Sequence, residues 1–197
     1  EAFDYGDAPL TYGVASHEVN FRRSGFGGTG IYTSNVYLGQ AVDPETAMQH
    51  SSGADGDDAN QSAGLLVDDE DGVAFPAMVP GTTVQIPVSI TLEDYDEFTT
   101  SSIRLLGWVD WDKSGTFDNP LGERFTVFSL SDYLAFDLFE PSFTGPKTYV
   151  VNIPLTIPAG ASGTYQSRFR IGSNIGATGI ASYGEVEDHQ FSILGLG

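Results

Sequence analysis

The sequence predicts an all-β chain, an antiparallel β-sandwich of jelly-roll or immunoglobulin-like type with an acidic, irregular region at its N-terminal end. Three observations predict it. Apolar and polar residues alternate with period two in successive runs, 24 glycines and 10 prolines punctuate 197 residues, and helical periodicity is almost absent.

The elements follow from local pattern. In "TVQIPVSITL", Val84, Ile86, Val88, Ile90 and Leu92 alternate with Thr83, Gln85, Pro87, Ser89 and Thr91. Successive side chains of a strand point to opposite faces, so this run is a half-buried strand. Pro87 has no N–H to give to a ladder, which places it at an edge or a bulge. "YVVNIPLTIP" repeats the pattern with Tyr149, Val151, Ile153, Leu155 and Ile157. "TYQSRFRIG" repeats it again, Tyr165, Phe169 and Ile171 facing opposite to Gln166, Arg168 and Arg170. Further strands are predicted over Ile31–Leu38, Ile103–Asp110, Arg124–Leu130 and Val186–Leu194, each bounded by Gly, Pro, Asn or Asp. Residues 129–140, with Leu130, Leu134 and Leu138 four apart, read as a short helix or a turn-rich crossover. The stretch up to Phe75 has few alternating runs and is too long for an ordinary loop unless something organises it. The reading is one module over residues 1–197, with the loop-rich segment, residues 1–75, packed on a sandwich spanning 76–194.

Charge narrows the function. Asp and Glu number 27 against 8 Lys and Arg, a net charge of -19 with a pI near 4.1. That balance excludes nucleic acid and anionic membranes as partners, because both attract Lys and Arg. No apolar run is long enough for a spanning helix, which argues against membrane insertion. Without cysteine, neither disulfides nor thiolate metal sites hold the fold. The opening "EAFDYGDAP" lacks the basic and apolar regions of a signal peptide, and the chain reads as a monomeric module excised from something longer.

The acids are also clustered. Residues 55–72, "DGDDANQSAGLLVDDEDG", hold seven carboxylates and no cation: Asp55, Asp57, Asp58, Asp68, Asp69, Glu70 and Asp71. Two unit charges 4 Å apart cost roughly 1 kcal/mol even in water, so compact folding calls for a counter-charge. The clearest ion motif is "DWDKSGTFDNPLGE". Asp110, Asp112 and Ser114 take positions 1, 3 and 5 of a calcium loop, Gly115 position 6, the Thr116 carbonyl position 7 and Asp118 position 9. Position 12 is Leu121, so Glu123 or another segment must supply the last carboxylate. Asp4 and Asp7 in "DYGDAP", and Glu185, Glu187 and Asp188 in "GEVEDH", are candidates to share ions with residues 68–71 because chain ends often lie close together. The cofactor reading is therefore several Ca2+ ions.

Other signals are set aside. "GFGGTG" follows no buried strand and opens no helix, "NQS" at Asn60 matters only in a secretory eukaryotic host, and no G-x-S-x-G elbow exists. His17, His50 and His189 lack zinc-site spacing, with His17 the one to watch.

"DYGDAP" followed by "TYG", "VYLG", "DGDD", "DDEDGV", an Asp-rich loop after "WVDW" and the closing "YGEVEDHQFSI" together resemble the GEVED family, although the family's closing tyrosine is His189 here. The resemblance implies a β-sandwich in large secreted bacterial surface proteins. More narrowly, the chain is similar to the calcium-dependent peptide-binding modules of repeats-in-toxin adhesins, which hold the C-terminal residues of a target protein in cell adhesion and biofilm formation. On that footing an ion with an open position accepts the peptide carboxylate that an anionic surface would otherwise repel. Tyr5, Tyr12, Tyr183 and Trp111 would pack on the ligand, with His17 close by, while the backbone of Ser182, Tyr183 and Gly184 sets its register. No enzymatic activity is expected. The alternatives are a calcium-dependent carbohydrate-binding module, a structural spacer or, least favoured, a carboxylate-pair hydrolase.

Overall fold

A computed structural model of the chain describes residues 2–23, 30–33, 35–42, 44–45, 47–56, 70–94, 102–118, 122–130, 132 and 144–194. Eleven strands appear among them: β1 (Ala2–Tyr5), β2 (Ala15–Arg23), β3 (Gly30–Thr33), β4 (Val36–Leu38), β5 (Thr83–Asp94), β6 (Arg104–Val109), β7 (Arg124–Ser129), β8 (Thr144–Thr156), β9 (Gly163–Gly172), β10 (Gly179–Ala181) and β11 (Glu185–Ile193). A 3-10 turn, Leu10–Tyr12, joins β1 to β2. The predicted all-β class holds. The segment 129–140 lies mostly outside the described residues.

Two sheets face each other to make the sandwich. One has the order β4-β5-β8 and the other β11-β9-β6-β7, all neighbours antiparallel. The alternating residues meet between them. Ile86, Val88, Ile90 and Leu92 of β5 and Val151, Ile153 and Leu155 of β8 pack on Leu105, Tyr165, Phe169, Ile171, Phe191 and Ile193 from the other sheet. Each aliphatic side chain so buried contributes about 1.5–3 kcal/mol. Pro87 sits on the middle strand of its sheet, yet β4 pairs only with residues 90–92. Its carbonyl accepts from Ala74 N at 3.0 Å on the side where an N–H would also point, so the missing donor breaks no bond to β8.

The N-terminal region departs from the sequence reading. Instead of being irregular throughout, it forms a third layer in which β2 pairs with β1 and β3 antiparallel and with β10 in parallel. Alternation does not reveal β2 because Ala15, Ser16, His17 and Val19 are all buried, polar side chains included. The single strand predicted over Ile31–Leu38 is two, β3 on β2 and β4 on β5.

This layer covers the outer face of β9 and β11, so the polar side of β9 is not a solvent face. Arg168 and Arg170 are 0% and 1% exposed. The Arg168 guanidinium grips Asp188, itself fully buried, through Nε to Oδ1 and Nη2 to Oδ2, both 2.7 Å. Its Nη1 donates to the carbonyls of Gly13 (3.2 Å) and Ala177 (2.8 Å). Arg170 donates to the carbonyls of Ser16, Gly176, Thr178 and Gly179 and, through Nε, to His17 Nε2 at 3.0 Å. Burial, reinforced by the neighbouring charge of Arg168, lowers the Arg170 pKa to about 10, which leaves it charged at neutral pH. Asp188 Oδ2 also accepts from Ala8 N at 2.9 Å, and Asp4 Oδ2 accepts from Val186 N at 2.8 Å. The two guanidiniums thus fasten residues 13–17 and 176–179 to the sandwich, and the bonds of Asp4 and Ala8 to β11 fasten the segment before them.

Removing one member of a buried pair leaves the other charge uncompensated, at a cost of about 3–5 kcal/mol. Arg168→Met should therefore lower the melting temperature by roughly 6–20 °C for a domain of this size; a loss within about 2 °C would show that the pair does not hold the layers together. His17 generates a second expectation. Its Nδ1 donates to the Tyr183 carbonyl at 2.8 Å while Nε2 accepts from Arg170, so protonation would set two donors face to face. Burial, with the Arg170 charge second, holds the imidazole well below its usual pKa. The unfolded chain then takes up the proton first as pH falls through about 6.5, and the stability present above that pH is lost below it by at most about 1.4 kcal/mol per unit. Denaturant titrations from neutral to mildly acidic pH, in chelator, should show that slope in the parent chain and a shallower one in His17→Gln; equal slopes would exclude the linkage.

Candidate metal centre

β6 ends at Val109 and the chain then turns through residues 110–118 before β7. Gly115 holds φ +83°, a left-handed conformation that costs glycine nothing. The turn is tied together by Asp110, whose Oδ1 accepts from Ser114 N (3.0 Å) and whose Oδ2 accepts from Gly115 N (2.9 Å) and from the Tyr12 hydroxyl (2.6 Å). Asp112 Oδ1 also accepts from Ser114 N at 3.0 Å, a bond that holds its carboxyl below the usual pKa. Burial and Asp110 push the Tyr12 phenol up, so it remains a donor. Ser114 Oγ lies 3.3 Å from the Thr116 carbonyl.

Glu123 reaches the same point from the other strand, registered by Val109 N donating to its carbonyl at 3.0 Å. One carboxylate oxygen from each of Asp110, Asp112 and Glu123 lies within 4.8 Å of the others. Asp110 and Glu123 are buried and Asp112 is exposed. Oxygen donors of this kind suit a hard cation, and the exposed rim at Asp112 gives an ion held there a side toward solvent. Glu123, one of the two sources the sequence pattern leaves open for the missing twelfth carboxylate, lies beside Asp110 and Asp112. Asp118 is exposed and falls outside the group.

A second group joins Glu70, Glu187 and His189, again with donor atoms within 4.8 Å of one another. His189 Nε2 lies 3.0 Å from Glu187 Oε2 and 3.5 Å from Glu70 Oε2. Glu187 is fully buried, which raises its pKa, and its Oε1 accepts from Gly72 N at 2.8 Å. Sequence reasoning names Glu70 only within the acidic run 68–71 expected to share ions with Glu187, and does not single out His189 as a ligand. The legible signal is Glu187-x-His189, two residues on one face of a strand.

The remaining acids have protein partners of their own. Asp188 is countered by Arg168, and Asp4, Asp7 and Glu185 accept from the backbone amides of Val186, Gly56 and Leu38. Asp55 is exposed and bonded to Ser51, and Asp71 accepts from Gln40 N and Nε2 at 2.9 and 3.1 Å. Asp57, Asp58, Asp68 and Asp69 lie outside the described residues.

Of the expected ligand-contacting residues, Tyr12 and Trp111 stand at the Asp110 turn. The Tyr12 ring is buried against Phe117 (4.7 Å between centroids), and the Trp111 ring is half-buried against Tyr165 (5.0 Å). Tyr5 is half-buried beside Phe3. His17 is inside the protein, bonded to Tyr183, which is half-buried next to exposed Ser182. Gly184 has φ +108° and a Cβ there would overlap the Ile171 carbonyl oxygen, so only glycine lets β11 begin so close to β9.

No curated protein and no solved structure matches the chain. One family does. Residues 104–192, from the start of β6 through the Asp110 turn and the arginine-bearing β9 to the penultimate residue of β11, match the model of the GEVED domain.

Proposed function

We propose that the chain is a calcium-dependent, non-enzymatic ligand-binding module of a large bacterial surface adhesin, which holds the C-terminal residues of a target peptide or protein outside the cell. The observation that carries this reading is the Asp110–Asp112–Glu123 group, two carboxylates of one turn joined by a third from across the β6–β7 pair, with one of the three at the surface. The donors are hard oxygens, with Ser114 and the Thr116 carbonyl beside them, and that set fits calcium. A protein of net charge -19 repels a free carboxylate; an ion at the rim supplies the attraction. The half-buried ring of Trp111 beside the turn is an apolar surface for the ligand's side chains.

Thermal unfolding tests the ion first. One site occupied at about 100 times Kd contributes about 2.7 kcal/mol, so millimolar calcium should raise the melting temperature by about 5–11 °C per site over chelator, with magnesium failing to replace it. Asp112→Asn should remove the share due to this turn, and an unchanged curve in chelator would sink the reading. The ligand is tested by titrating peptides with a free and an amidated C-terminus in calcium: binding of the free form alone is expected, whereas equal binding of both, or capture of glycans instead, would exclude carboxylate recognition.

A further inference from the structure

The Glu70–Glu187–His189 group differs in chemistry from the Asp110 turn. We propose that it is a second cation site of another class, taking a borderline transition-metal dication such as zinc rather than calcium. This goes beyond the calcium-dependent reading and does not depend on it.

The geometry begins with strand periodicity. Glu187 and His189 are two apart on β11, so both point to the same face, and Glu70 approaches from the segment ahead of the Val73–Val88 bridge. Each carboxylate is anchored by one oxygen outside the group: Glu187 Oε1 accepts from Gly72 N at 2.8 Å and Glu70 Oε1 lies 3.4 Å from Asp188 N. The other oxygen of each is thereby aimed at the imidazole. Backbone donors that orient ligands in this way are the outer-shell arrangement of metal sites. The imidazole is itself held by ring edges, with Phe75 at 5.4 Å and Phe169 at 6.1 Å between centroids.

Burial distinguishes the group from a solvated acidic face. The side chains of Glu187, Glu70 and His189 are 1%, 10% and 13% exposed, and a buried carboxylate is expected to be paired or to ligate a metal. Nε2 stands 3.0 and 3.5 Å from the two carboxylate oxygens, and two ligands of a tetrahedral ion with bonds of about 2.0–2.1 Å sit roughly 3.3 Å apart. Imidazole nitrogen favours zinc and its neighbours, while calcium takes oxygen ligands. Three protein donors leave a fourth position on the ion.

The test titrates the whole chain with Zn2+, and separately with Co2+, in millimolar Ca2+. One equivalent of Zn2+ should bind despite the calcium, and Co2+ should give the visible absorption of an ion bound by nitrogen and oxygen. His189→Gln and Glu70→Gln should each weaken Zn2+ binding at least about tenfold, whereas Asp112→Asn should leave it unchanged while abolishing the calcium response of the Asp110 turn. Glu70→Gln lies outside the strands, so it tests the site even where His189→Gln fails to fold. The proposal is overturned if no Zn2+ is retained, if both variants bind it as tightly as the parent chain, or if millimolar Ca2+ displaces it stoichiometrically.

Discussion

A guanidinium enclosed in protein is tolerable only where every donor meets an acceptor and its charge meets a counter-charge, and the three layers of this chain are arranged around two such groups. Arg168 and Arg170 sit two residues apart on β9, on the face turned away from the sandwich core. Asp188 and the carbonyls of residues 13, 16 and 176–179 satisfy them. None of these partners belongs to the two sheets of the sandwich core except Asp188. The arginines therefore require the N-terminal layer, which also packs Ala8 and Tyr12 on Leu106 and Trp108, and Val19 on Tyr37.

The acidic surplus divides accordingly. Some carboxylates are taken up inside by amides and by Arg168, which accounts for Asp4, Asp7, Glu185 and Asp188. Others converge in groups that contain no arginine, at the Asp110 turn and at Glu70–Glu187–His189. Two neighbouring residues of one motif fall in different classes because they alternate along β11: Asp188 faces the arginines and Glu187 the opposite side.

What can be read in advance follows the same logic. β5 and β8 are legible because one face is apolar and the other meets solvent. The Asp110 turn is legible because its candidate ligands are local in sequence, and the defect at Leu121 points to Glu123 or another segment. β2 and the outer face of β9 are not, since polar side chains on alternate positions signal water when nothing announces a third layer. His189 escapes notice for a related reason: its partners are Glu187, visible at a spacing of two, and Glu70, far away along the chain.

The bonds from Val186 N to Asp4 and from Ala8 N to Asp188 span 182 and 180 residues. Pairings of such separation form late. On a ribosome that adds about 5–20 residues per second, the first segment emerges roughly 10–40 s before β11 exists to receive it. For that interval β2 has neither the arginines nor β10 beside it. Its neighbours Asp4 and Asp7 carry charge into water over the same period, and like-charged nascent chains repel one another. Charge repulsion from the acids that later become internal acceptors thus disfavours wrong pairing at the part of β2 that β10 will cover, while β10 is still being made.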